Sequence, residues 1–182
     1  MNARPLVAVV GRPNVGKSTL FNKLVGKRVS IVEDVEGVTR DRLYCDTDWC
    51  GKAFTLIDTG GLDVRSDDEM LSHIREQAKV AVDIADCILF VVDGRAGVTS
   101  NDREVASFLR RSGKPIVLAV NKLDNNEVDK TYDFYELGIG EPFAVSAVQG
   151  KGLGDLLDAV TEHLPEFDGE GEDDVLDIAI VG

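Results

Sequence analysis

The stretch Gly11-Arg12-Pro13-Asn14-Val15-Gly16-Lys17-Ser18 constrains the chain more than any other. It follows an apolar run, Leu6-Val7-Ala8-Val9-Val10, and leads into the helix-like Thr19-Leu20-Phe21-Asn22-Lys23-Leu24. A buried strand feeding a G-x-x-x-x-G-K-S loop that opens a helix makes a phosphate cradle, because backbone N–H groups and the helix N-terminus converge on one anion. Gly11 and Gly16 allow the tight path and the close approach of backbone to phosphate. Lys17 places a point charge at the terminal phosphates, and the Ser18 hydroxyl is the candidate magnesium ligand. The whole run from Gly11 through Thr19 is the candidate phosphate-binding segment.

Patterning along the chain predicts strands over 6–10, 43–49, 53–57, 87–92, 116–120 and 142–145. Helices are predicted over 17–25, ended by Gly26, and over 70–84 and 101–111, with a short one near 129–137. The 101–111 helix offers Val105, Ala106, Phe108 and Leu109 as its core face. A last amphipathic helix starts within 150–154 and carries Leu153, Leu156, Leu157, Val160 and Leu164. The strand 87–92, Cys-Ile-Leu-Phe-Val-Val, is continuously apolar, as a strand buried on both faces should be. Strands alternating with helices imply an α/β fold with a mostly parallel six-stranded sheet and helices on both faces. Open sheets of this kind bind ligands at the carboxyl ends of their strands.

Three short motifs fall at such ends. Asp58-Thr59-Gly60-Gly61 supplies a carboxylate and a glycine whose bare N–H can meet a terminal phosphate. Alone, D-x-x-G reads as a strand-ending turn; one hairpin after a phosphate loop, it gains meaning. Asn121-Lys122-Leu123-Asp124 places a carboxylate acceptor where it matches the N1–H and 2-amino donors of guanine, which adenine lacks. Wrong bases would leave buried polar groups unpaired, a penalty that discriminates by about 10⁴-fold or more. Ser146-Ala147 then offers a small residue whose N–H can approach the base carbonyl. Thr39 lies in the aperiodic, charged stretch 26–41 and is the candidate second magnesium ligand, reaching the ion when that loop closes over a triphosphate.

Composition narrows the partners. A net charge of −13 over 182 residues argues against a nucleic-acid footprint, since a phosphate backbone is held by clustered lysine and arginine. Three cysteines, Cys45, Cys50 and Cys87, form neither a paired framework nor a zinc pattern, which suits a reduced, cytoplasmic protein. No apolar run reaches the length of a membrane span.

The order GRPNVGKS, Thr39, DTGG, NKLD and SA resembles the five G motifs of translation-factor-class GTPases over nearly all of 6–164. GRPNVGKSTLFN, GVTRDR, IDTGGL, FYELGIGEP and SAVQGKGLGDLLDAV narrow the resemblance to the first G domain of the bacterial Der (EngA) family, among the TrmE-Era-EngA-like GTPases. The resemblance implies GTP hydrolysis as a switch in large-ribosomal-subunit assembly, with tandem G domains followed by a KH-like domain. It implies Mg²⁺ held by Ser18 and Thr39, with Asp58 acting through water, while Lys17, Thr39 and the Gly61 N–H stabilise the reacting phosphate. It also implies a departure: Leu62 stands where Ras-like proteins carry the glutamine that orients the attacking water. In related GTPases with this replacement a potassium ion substitutes for an arginine finger, and its diagnostic ligand matches Asn14.

Leu62 keeps a rival open, a nucleotide-gated binding module with negligible hydrolysis; a related Era- or MnmE-type GTPase acting on another RNA is a second. A P-loop kinase would lack NKLD. At the other end, 165–174 reads as an acidic linker, and Val175-Leu176-Asp177-Ile178-Ala179-Ile180-Val181-Gly182 repeats the pattern of Leu6-Val7-Ala8-Val9-Val10-Gly11, as the first strand of a second G domain would.

Overall fold

The structure is a computed structural model and describes residues 3–26, 43–60, 67–124 and 126–167. In chain order it runs β1 (Leu6–Gly11), α1 (Lys17–Val25), β2 (Leu43–Trp49), β3 (Lys52–Asp58), α2 (Asp67–Ile84) and β4 (Cys87–Asp93). Then follow α3 (Ser100–Arg111), β5 (Ile116–Asn121), a 3₁₀ helix (Val128–Leu137), β6 (Pro142–Ala144) and α4 (Leu153–Glu162). Thr39, the 26–41 stretch beyond Gly26, Gly61, Leu62 and the segment 168–182 lie outside the described residues.

The period-two alternation of the strands decides the layering. Val7 and Val9 of β1 enter one apolar layer, with Leu20, Phe21 and Leu24 of α1 and Leu156, Leu157 and Val160 of α4. Ala8 and Val10 enter the other, with Ile74, Ala78 and Ala81 of α2, Val105, Ala106 and Leu109 of α3, and Phe134 and Leu137 of the 3₁₀ helix. A strand without a solvent face must be covered on both sides, and β1 and β4 are. Among the described residues the sheet has six strands in the order β2-β3-β1-β4-β5-β6. Every neighbouring pair is parallel except β2 and β3. That hairpin turns at Cys50-Gly51, both at positive φ (50° and 81°), as a type I′ turn requires.

Several element limits differ from the sequence expectation. Helix α2 begins at Asp67 rather than 70. Helix α3 begins at Ser100 because Thr99 caps it: Thr99 Oγ1 accepts from Asp102 N at 3.2 Å while Asp102 Oδ2 accepts from Thr99 N at 3.0 Å. A reciprocal box of this kind contributes about 1 kcal/mol. Over Val128–Leu137 the buried residues are Thr131, Phe134 and Leu137, a repeat of three, and the backbone follows it as 3₁₀ rather than α. Strand β6 ends at Ala144, one residue short of the expected limit. Phe108 departs from the expected core face; it is 39% exposed and lines the groove between α2 and α3. All three cysteines are free, and burial pushes the Cys87 thiol up to about 12.

Candidate functional site

The sheet gathers the motifs at one edge. Strand β1 sits between β3 and β4, and the register Val9↔Asp58 sets the DTGG turn beside the start of the phosphate loop. On the other side the pair Asp93↔Asn121 brings the ends of β4 and β5 level.

In the loop, Asn14 (φ 66°) and Gly16 (φ 90°) both take left-handed backbone, which asparagine and glycine tolerate best. A Cβ at Gly16 would run into the Asn121 amide, and one at Gly11 would lie 2.5 Å from Val91 O. Val15 anchors the loop in the first apolar layer, while Asn14, Ser18 and Thr19 are exposed. Pro13 is half-buried. Arg12 Nε donates to Asp102 Oδ1 at 2.9 Å, tying the loop to the first turn of α3.

Lys17 is the first residue of α1 and is 9% exposed. Its Nζ donates to Gln77 Oε1 of α2 at 3.1 Å. Burial lowers the Lys17 ammonium below the ordinary lysine range, and the Asp58 carboxylate opposes that shift. Burial likewise raises the Asp58 carboxyl, against the Gly60 N–H bond to Oδ1 (2.9 Å) and the Lys17 charge. Thr59 Oγ1 donates to Val9 O at 2.6 Å, which fixes the turn on β1. A Cβ on Gly60 would fall on Lys17 Nζ, so this glycine leaves room for the lysine.

Asn121 joins two of the loops at this edge. Its Nδ2 donates to Val15 O at 2.9 Å, and its Oδ1 accepts from Ala147 N at 3.0 Å. The phosphate loop and the Ser146-Ala147 turn are thus joined through one buried amide, and a base carbonyl would have to share the Ala147 N–H with it. Lys122, at φ 66°, donates from Nζ to Asn14 O and, at 2.9 Å, to Asp93 Oδ2, so its stem is pinned across the mouth of the site. Burial would raise the Asp93 carboxyl, but bonds from Lys122, Ala96 N and Arg95 N together hold it below the usual range. Leu123 is buried in the second layer and anchors the motif. Asp124 Oδ1 accepts from Gln149 Nε2 at 3.0 Å and Oδ2 from Arg95 at 3.2 Å.

Gln77, Asp93, Arg95, Asp102 and Gln149 were not anticipated from the sequence. Asp93 closes an apolar strand just as Asp58 does, and Gln77 is a polar residue within the apolar stripe of a helix; both signals were readable. Arg95 and Gln149 carried none. Among the described residues no cluster of three or more His, Cys, Asp or Glu could hold a metal by itself. The donor set instead fits a magnesium ion shared with a ligand. The Ser18 hydroxyl is exposed and without a partner among the described residues, and Asp58 has one oxygen engaged by Gly60.

A family model described as 50S ribosome-binding GTPase matches residues 6–122. The chain belongs to this family. It is 56% identical to GTPase Der of Alkaliphilus metalliredigens and 58% identical to GTPase Der of Geobacillus thermodenitrificans, in each case over 182 residues and 99% of this chain. Those alignments span 41% and 42% of the relatives' own lengths, so the chain covers well under half of each. In three dimensions it is similar to Aquifex aeolicus Era in a crystal structure with GDP.AlF4-, at TM-score 0.70 and 29% identity, covering 90% of this chain and 57% of that one. The expected α/β G-domain fold and the expected resemblance to the first G domain of Der both hold. Among the described residues no helix is long and apolar enough to cross a membrane.

Proposed function

We propose that this chain binds guanine nucleotide and Mg²⁺ and hydrolyses GTP to GDP and phosphate as a conformational switch in biogenesis of the large ribosomal subunit. The observation that carries the reading is the start of α1. The helix has no side-chain cap and no acidic residue in its first turn, and its first residue is the buried cation Lys17. By itself that is the reverse of what a helix N-terminus favours, as the fully capped α3 illustrates. An anion resolves both features at once, accepting the free N–H groups and neutralising the lysine.

In this reading residues 11–19 wrap the phosphates, Lys17 balances their charge, and Asp124 with the Asn121-braced loops selects guanine. Ser18, Thr39 and, through water, Asp58 would hold the magnesium, which supplies charge neutralisation at the phosphates when bound. Gly60 keeps space for Lys17, and Gly61 offers its N–H to the terminal phosphate. A titration with fluorescent GDP and with an adenine counterpart tests the reading: saturable binding of the guanine form alone is expected, and equal or absent binding would overturn it. Ribosome association is tested by pelleting ribosomal subunits with the full-length protein in GDP and in a GTP analogue.

Asn14 is proposed as a potassium ligand. Its side chain is exposed at the tip of the loop and has no hydrogen-bond partner among the described residues. A monovalent cation there would neutralise charge growing on the phosphates, a contribution leaving Leu62 nothing to supply. Single-turnover hydrolysis is expected to be at least about tenfold faster in potassium than in sodium, with the difference removed by Asn14→Ala and nucleotide binding retained. Equal rates in the two salts would instead favour the nucleotide-gated binding module, which Leu62 supports.

The domain limits are proposed as 1–164 for the G domain, 165–174 for a linker and 175–182 for the beginning of a second G domain. Support comes from the stretch 175–182, which repeats the pattern of Leu6–Gly11. Deleting 168–182 is expected to leave nucleotide affinity and melting temperature nearly unchanged, and a loss of several degrees in a thermal melt would assign the segment to this domain.

A further inference from the structure

Gln77 is 3% exposed and lies on the inward face of α2, between Ile74 and Ala78 of the second apolar layer. Its Oε1 accepts from Lys17 Nζ at 3.1 Å. Thr59 Oγ1 is 3.3 Å from the same oxygen, but a hydroxyl has one proton and Val9 O, at 2.6 Å, is the nearer acceptor. Lys17 is therefore the donor that Oε1 has. The amide cannot be turned over, because Nε2 would then face the ammonium. As oriented, Nε2 is buried with no partner among the described residues. An orphaned buried donor is costly and asks for an explanation. An apolar side chain of the same length would suit that stripe better, so what the amide does there is hold Lys17. His73, four residues earlier on α2, feels the same charge: burial and then Lys17 lower its imidazole below the ordinary range, against Glu76.

We propose that Gln77 is a positioning residue that holds Lys17 and competes with phosphate for it. The inference rests on the reading that Lys17 meets the terminal phosphates. Arrival of the nucleotide exchanges one acceptor for another at Nζ, so part of the attraction between lysine and phosphate is spent in releasing Gln77. The exchange also connects the phosphate site to α2, since the amide loses its donor when the lysine leaves.

The competition predicts that removing a native hydrogen bond tightens binding, which a merely structural role for Gln77 would not do. In Gln77→Met the dissociation constant for GDP is expected to fall about fivefold, and in Gln77→Glu, where a carboxylate holds the lysine more firmly, to rise about tenfold or more. Labelling of Lys17 by an amine-reactive probe in the nucleotide-free chain, followed by mass spectrometry, should be faster in Gln77→Met than in the parent and slower in Gln77→Glu. Weaker or unchanged GDP binding by a folded Gln77→Met would overturn the proposal. If that variant melts far below the parent, Gln77→Glu decides alone, and an affinity equal to or tighter than the parent's would overturn it. Failure of the unmodified chain to bind GDP removes the nucleotide reading itself, a result distinct from either.

Discussion

Asp124→Asn is expected to weaken guanine-nucleotide binding by about 3 kcal/mol, roughly two orders of magnitude in Kd. The substituted amide turns one acceptor into a donor, which then faces the N1–H and 2-amino donors of guanine across a contact shielded from water. A base with a carbonyl in place of the 2-amino group should regain part of what guanine loses, and this sign separates a recognition effect from damage to the fold. Stability should hardly change. The carboxylate is 44% exposed, its partner Arg95 is 59% exposed, and such pairs contribute little. Parallel titrations with guanine and xanthine nucleotides, read beside a thermal melt, make the check. Unchanged guanine affinity would remove Asp124 from the base site.

Lys17→Met should lower nucleotide affinity by a hundredfold or more, because the charged donor proposed for the terminal phosphates is gone; charge-assisted bonds of this kind are worth about 1.5–3 kcal/mol each. The pH dependence carries a second signature. Burial depresses the lysine below its ordinary value, while a bound phosphate favours the protonated form. Where the free lysine has lost its proton, binding must take one up. Affinity of the unmodified chain should therefore fall as pH rises through the depressed value, below the usual 10.5. The Met variant should lack that decline. Isothermal titration between pH 7 and pH 9.5 in two buffers of different ionisation enthalpy would show the proton uptake directly.

How much of this was legible in the residues differs from place to place. Element types along β1, α1, β4 and β5 follow from apolar period, because these segments are buried on one or both sides and nothing competes with the pattern. Element ends were less legible where a side chain sets them. The Thr99 and Asp102 pair starts α3 at Ser100, one residue before the expected limit, and a three-residue burial repeat turns the 128–137 segment into 3₁₀ helix. Of the site, the residues at strand ends could be placed, since a parallel sheet delivers them to one edge. The bonds among them could not. That Asn121 joins Val15 to Ala147, or that Arg12 reaches Asp102, depends on pairs separated by many residues along the chain, and no local pattern encodes them. Gln77 shows the intermediate case: its place on an apolar stripe was visible, and its meaning depends on where Lys17 ends.

The position of β1 has a consequence for the order of assembly. The first of the described strands of this sheet in chain order is hydrogen-bonded on both sides by strands made later, β3 up to Asp58 and β4 up to Asp93. During translation, at about 5–20 residues per second, the N-terminal strand and its glycine-rich loop must wait for those partners. The contacts that complete the loop lie later still, at Asn121 and Ala147. A growing chain therefore exposes Leu6–Gly11 as an unpaired apolar segment until β3 has been made, and leaves its other edge open until β4 follows.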